Sequence, residues 1–120
     1  MVIGPVAEAA LTLHRIFTDG FLLPASRAAM QCWYPIGGAV PGRPWITAGY
    51  GLGLMMGTMQ TRRGPMFLAG HGAGGPGSVG AVYGVPGTAH GHTVAAFAAG
   101  ADQGAVEAEV LRGMLSPSGI

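Results

Sequence analysis

The chain contains no lysine and no asparagine, a single cysteine, and few charges of either sign. Each shortage excludes something. Charged residues make up 9% of the chain, against about 25% in ordinary soluble proteins, so charge-driven disorder is not expected. The same shortage leaves little repulsion to oppose self-association. All the basic residues are arginine, the net charge is +1, and only Arg62 and Arg63 are adjacent. That is no electrostatic footprint for nucleic acid. Cys32 stands alone, which excludes an intrachain disulfide. It reads as a small buried side chain rather than a nucleophile, since no basic partner is evident in the sequence. Residues Met1–Val6 lack the basic segment of a secretory leader. The longest apolar run, around Ala48–Met59, is broken by Gly49, Gly51, Gly53 and Gly57 and is too short to span a bilayer. No membrane span and no cofactor are expected.

What the chain has in abundance is glycine, 23 residues, with 9 prolines. The glycines follow no strict period and apolar blocks separate them, so they read as turns and closely packed strands. A length of 120 residues suits one domain with a core of its own.

Pro5–Phe17 reads as a helix. Proline suits its first turn, and Val6, Ala10, Leu13 and Phe17 share one face. A short helical turn is expected over Ala25–Gln31. Cys32–Gly49, with Pro35, Gly37, Gly38, Pro41, Gly42 and Pro44, reads as a loop. Its aromatics Trp33, Tyr34 and Trp45 are read as cover for the core. Four strands are expected next: Tyr50–Met56, Met66–Gly70, Ser78–Val85 and Thr93–Ala98. The last is apolar on both faces and is placed inside the sheet. Asp102 can cap a final helix, Gln103–Leu115, with Val106, Val110 and Met114 as its buried stripe. Glu107 and Arg112 sit where the helix dipole favours them. The expected fold is α+β, one domain over 1–120: helical over 1–31, loop over 32–49, an antiparallel sheet of about four strands over 50–99, and a helix over 102–115.

The most distinctive segment is Gly70-His71-Gly72-Ala73-Gly74-Gly75-Pro76-Gly77. A phosphate-binding loop would need Gly-Lys-Ser/Thr opening a helix. The chain has no lysine, and a strand follows. Ser26, Ser78, Ser116 and Ser118 lack the Gly-x-Ser-x-Gly setting of a nucleophile elbow. His90 and His92 could share a strand face, but a metal site needs further ligands, and a solvated hairpin tip is the better reading. His14 reads as a surface residue. Without further context, His71 reads as a structural histidine at a strand end.

Four stretches, in order and at matching spacing over roughly residues 7–115, resemble the C-terminal portion of the serine β-lactamase and penicillin-binding-protein superfamily, which includes class C β-lactamases, esterases and D-aminopeptidases. They are Ile16–Met30 with its "LLPASRAAM", Tyr50–Leu54 "YGLGL", Gly70–Gly77 "GHGAGGPG" followed by "SVGAVYGVP", and Thr93–Gly100 "TVAAFAAG". The resemblance implies a partial β-lactamase/transpeptidase-like fold. It implies amide or ester hydrolysis through an acyl-serine in the intact family. His71 would take the first position of the third motif (Lys-Thr-Gly or His-x-Gly), Gly72 the second and Ala73 the third. Gly74 would offer its backbone N–H to an oxyanion. Ala73 stands where the family has glycine, and its methyl is expected to face a crowded region.

The family's other motifs are Ser-x-x-Lys and Tyr-x-Asn or Ser-x-Asn. They cannot occur in a chain without lysine or asparagine. In the family both lie N-terminal to the matched region. The leading expectation is therefore an inactive fragment of such a hydrolase. The alternatives are a binding or regulatory half that completes a site with an N-terminal partner chain, and an unrelated small binding module. An N-terminal half or a second copy of the chain is the expected cover for its apolar surface.

Overall fold

The computed structural model describes residues 5–18, 22–86, 93–100 and 102–115. Helices α1 (Val6–Thr18) and α2 (Pro24–Met30) come first. Six strands follow: β1 (Tyr34–Gly37), β2 (Trp45–Tyr50), β3 (Met55–Thr61), β4 (Gly64–Gly75), β5 (Ser78–Gly84) and β6 (Thr93–Ala99). Helix α3 (Gln103–Met114) ends the described chain. The strands form one antiparallel sheet in sequence order, β1-β2-β3-β4-β5-β6.

Strand alternation divides the core between the two faces of this sheet. One set of inward residues, Trp45, Met59, Leu68, Ala81 and Tyr83, packs against Val106, Val110, Leu111 and Met114 of α3. The neighbouring positions Leu54, Met56 and Ala69 pack against Leu13 and Phe17 of α1. Leu68 and Ala69 are adjacent in sequence, both fully buried, and belong to opposite clusters. The sheet is thus covered on both sides, which is why its central strands carry few polar residues.

Six strands replace the expected four, for two local reasons. First, Cys32–Gly49 is not a loop. It holds β1 and nearly all of β2, and Trp45 within it is almost fully buried. The prolines and glycines that argued for a loop are accommodated at an edge: β1 is four residues long, and its register shifts between Pro35 and Gly37. Second, Tyr50–Met56 is not one strand. The Gly51 N–H donates to the Leu54 carbonyl at 2.8 Å, and Gly53 adopts φ +74°. This reversal splits the segment between β2 and β3.

Three other expectations change. Strand β6 lies at the sheet's edge, not inside it. Its two apolar faces arise because α1 and α3 both pack on it. Glycine-rich β4 also continues to Gly75, well past Gly70, because each residue from Ala69 to Gly75 is paired with β5. Pairing overrides the poor strand propensity of glycine here. Cys32, expected to be buried, is exposed. No helix among the described residues is long and apolar enough to cross a membrane.

Candidate functional site

The segment His71–Gly74 lies on β4 where that strand outruns its neighbour. The β3–β4 pairing ends at Met55 opposite Gly70, and the chain before Met55 turns away. From His71 to Gly75, β4 pairs with β5 alone.

The direction of the backbone groups follows from ladder phase. In an antiparallel pair, successive residues point their N–H and C=O alternately to one neighbour and the other. The Gly100 N–H donates to the Gly77 carbonyl at 3.1 Å, which makes Gly77 and Gly100 a hydrogen-bonded pair across the β5–β6 ladder. Counting along the registers, Val79, Ala81 and Tyr83 then face β6, while Ser78, Gly80, Val82 and Gly84 face β4. On β4, Ala69, His71, Ala73 and Gly75 answer them. Gly72 and Gly74 therefore turn their backbone groups away from β5, to the side that β3 has vacated.

Side chains alternate by face along the same stretch. His71 is exposed and lines a groove of about 450 Å³ with Glu8 and Thr12 of α1 and Val82 and Phe97 of the sheet. Its Nδ1 lies 2.6 Å from the Gly72 carbonyl, and its ring meets the Tyr50 ring edge-on at 6.5 Å between centroids. The histidine sits within the strand, not at its end. Ala73 is exposed and lines a second groove of about 620 Å³, with Gly74, Ser78 and Phe97. Its methyl meets no crowd, contrary to expectation. Gly72 faces the other way. A Cβ there would lie 2.8 Å from Gln103 Nε2, and that same nitrogen donates to the Gly80 carbonyl at 2.9 Å. Gln103, in the first turn of α3, thus backs β4 at Gly72.

Beneath the sheet lies a polar cluster that the sequence reading missed. Glu107 is fully buried. Its Oε1 accepts from Arg43 Nε at 2.5 Å. Its Oε2 accepts from Arg43 Nη2 at 2.8 Å, Trp45 Nε1 at 3.0 Å and the Tyr83 hydroxyl at 2.9 Å. The pairing with Glu107 raises the Arg43 pKa above its ordinary value. Burial, reinforced by the Glu107 charge, pushes the Tyr83 phenol well above its ordinary range. Fully buried and already accepting four hydrogen bonds, this carboxylate is out of a substrate's reach. The cluster ties the β1–β2 connection and two strands to α3. The available signal was Glu107's position between Val106 and Val110 on the apolar stripe, where a lone carboxylate needs partners.

Among the described residues no group of three or more His, Cys, Asp or Glu could hold a metal ion. His90, His92, Ser116 and Ser118 lie outside the described residues. His14 is half-buried, and its carbonyl accepts from Thr18 Oγ1 at 2.7 Å. Comparison with family models, with curated proteins and with solved structures finds no match to this chain.

Proposed function

We infer that His71–Gly74 forms one wall of a β-lactamase-like serine hydrolase site, and that the chain by itself does not form an acyl-serine. The observation that carries this reading is the open edge of β4 beyond Gly70, where Gly72 and Gly74 turn their backbone groups outward and His71 stands exposed at its start. An acyl-transfer site needs such a wall. A preorganised N–H, here that of Gly74, meets the oxyanion as it forms, and the loss of one such donor costs about 10²–10³ in rate. His71 would engage a substrate carboxylate or assist proton transfer. The nucleophile and its activating lysine would come from another segment or chain, and the reaction would be hydrolysis of an amide or ester through a covalent acyl intermediate.

A second reading is a docking half that completes its site with a partner chain. Exposed Tyr34 and Ile36 on β1, and exposed Leu52 just after β2, the strand that β1 pairs with, favour this, since exposed apolar surface marks interaction sites.

The test is acylation by a fluorescent penicillin and by a fluorophosphonate, with the chain alone and with a companion polypeptide carrying Ser-x-x-Lys and Tyr-x-Asn. Alone, the chain should take up neither probe; stoichiometric labelling of Ser26 or Ser78 by mass spectrometry would overturn the inference. With the companion, acylation should appear and should fall about 10²-fold in Gly74→Pro, which lacks the outward N–H. Acylation unaffected by that change would remove Gly74 from the site.

A further inference from the structure

We propose that the outer edge of β6, unpaired among the described residues, is a self-pairing surface, and that two copies of the chain join there into one continuous antiparallel sheet. The sheet has two ends, and they differ in kind. At the β1 end the strand is short and bulged, and Pro35 brings no N–H to its ladder. Proline and bulges are the devices that protect an edge from pairing. At the β6 end there are seven residues, Thr-Val-Ala-Ala-Phe-Ala-Ala, with no charge, no proline and no register shift.

Ladder phase fixes which groups β6 presents. Val94, Ala96 and Ala98 stand opposite Tyr83, Ala81 and Val79, the β5 residues whose backbone groups face β6. Thr93, Ala95, Phe97 and Ala99 therefore point their N–H and C=O outward. A two-fold axis at Ala96 sets Thr93 opposite Ala99 of the second copy and Ala95 opposite Phe97. Every outward group then meets an outward partner, and the register uses the whole strand. Side chains agree with this. Phe97 is more than half exposed and would face Ala95 of the second copy, with the second Phe97 on the diagonal, within reach of an aromatic ring. Ala96 meets itself at the axis without crowding.

The covering helices leave room. Helix α1 packs on one face of β5 and β6 and α3 on the other, so both cover faces of the sheet. Across the axis their flanks add area to the strand pair, which alone falls short of the roughly 1,200–2,000 Å² of a stable interface. Two uncharged edges bring no repulsion, whereas a partner of strong charge would find nothing on β6 to recognise. A second copy is the occupant this strand fits.

The test uses the full chain. Sedimentation across the micromolar range should show a reversible dimer. Phe97→Lys, which puts like charges on the diagonal, should weaken it at least about tenfold. Cross-linking provides a second measurement that does not depend on that variant. In a Cys32→Ser background, Ala96→Cys should oxidise rapidly to a covalent dimer, because directly opposed residues of this pair lie about 4.5 Å apart between Cα atoms, within disulfide range. Ala99→Cys, more exposed but distant from its own copy, should not. A wild-type monomer at every concentration would overturn the proposal. So would a dimer indifferent to Phe97→Lys, or equal cross-linking at 96 and 99.

Discussion

Arg43 and Glu107 stand 64 residues apart and meet in a two-point ion pair, Nε to Oε1 at 2.5 Å and Nη2 to Oε2 at 2.8 Å. The carboxylate is fully buried, while a quarter of the arginine side chain is exposed. The two ends are therefore not equivalent. Arg43→Met strands a buried charge with only Trp45 and Tyr83 as donors, and should cost about 3–5 kcal/mol in urea unfolding. Glu107→Gln leaves an arginine that can turn to water, and should cost less. Equal costs, or a cost below about 1 kcal/mol for Arg43→Met, would show that the pair is not what holds the β1–β2 connection to α3.

Tyr83 should make stability fall at high pH. Its folded-state pKa is raised, chiefly by burial and then by Glu107, so the folded protein keeps the phenolic proton where the unfolded chain loses it. The unfolded state then binds fewer protons, and stability declines as pH rises above the ordinary tyrosine value of about 10. Below that value the group contributes no pH dependence. The slope for one such group is about 1.4 kcal/mol per pH unit. Urea unfolding of wild type and Tyr83→Phe at rising pH checks this. Wild type should lose stability more steeply, and parallel curves would exclude Tyr83 as the source.

The glycines of β4 should divide sharply. A Cβ on Gly70 would lie 1.9 Å from the Val82 carbonyl oxygen. That is backbone held between paired strands, so Gly70→Ala should cost about 3 kcal/mol or more. A Cβ on Gly74 meets only Gln103 Oε1, at 3.8 Å, and one on Gly75 meets nothing within 4 Å. Both alanine variants should remain within about 0.5 kcal/mol of wild type. Thermal melts of the three decide it, and a tolerant Gly70 would mean that β4 can shift away from β5.

Asp102 caps α3, its Oδ1 accepting the Ala105 N–H at 2.7 Å. Asp102→Ala should lower stability by about 1 kcal/mol, and Asp102→Asn by less. If both variants match wild type by denaturation, the cap is not limiting for the helix.

Much of this architecture is local and so was legible in sequence. The helix read over Pro5–Phe17 is α1, with Leu13 and Phe17 buried as its spacing implied. The final helix begins at Gln103 behind its Asp102 cap. Helix periodicity and capping act over a few residues, and no distant partner is needed to express them. The strand at Ser78 was also plain, because Val79, Ala81, Tyr83 and Val85 recur at every second position and share a face.

Tertiary structure decided the rest. Proline and glycine made Cys32–Gly49 look like a loop, yet a sheet edge tolerates a short bulged strand, and burial of Trp45 anchors the next one. The run Tyr50–Met56 alternates like one strand, but only the reversal at Gly51–Leu54 shows where the sheet folds back. In sequence, Glu107 read only as a charge favoured by the helix dipole. Its burial became intelligible once Arg43, Trp45 and Tyr83, all distant in sequence, converged on it. The glycine-rich run around His71 stands out in the sequence, whereas the outward turn of Gly72 and Gly74 depends on where β3 stops. Composition and short-range pattern set which residues prefer helix, strand or turn; which edges stay open, and which charge is buried, depend on long-range pairing that no local window contains.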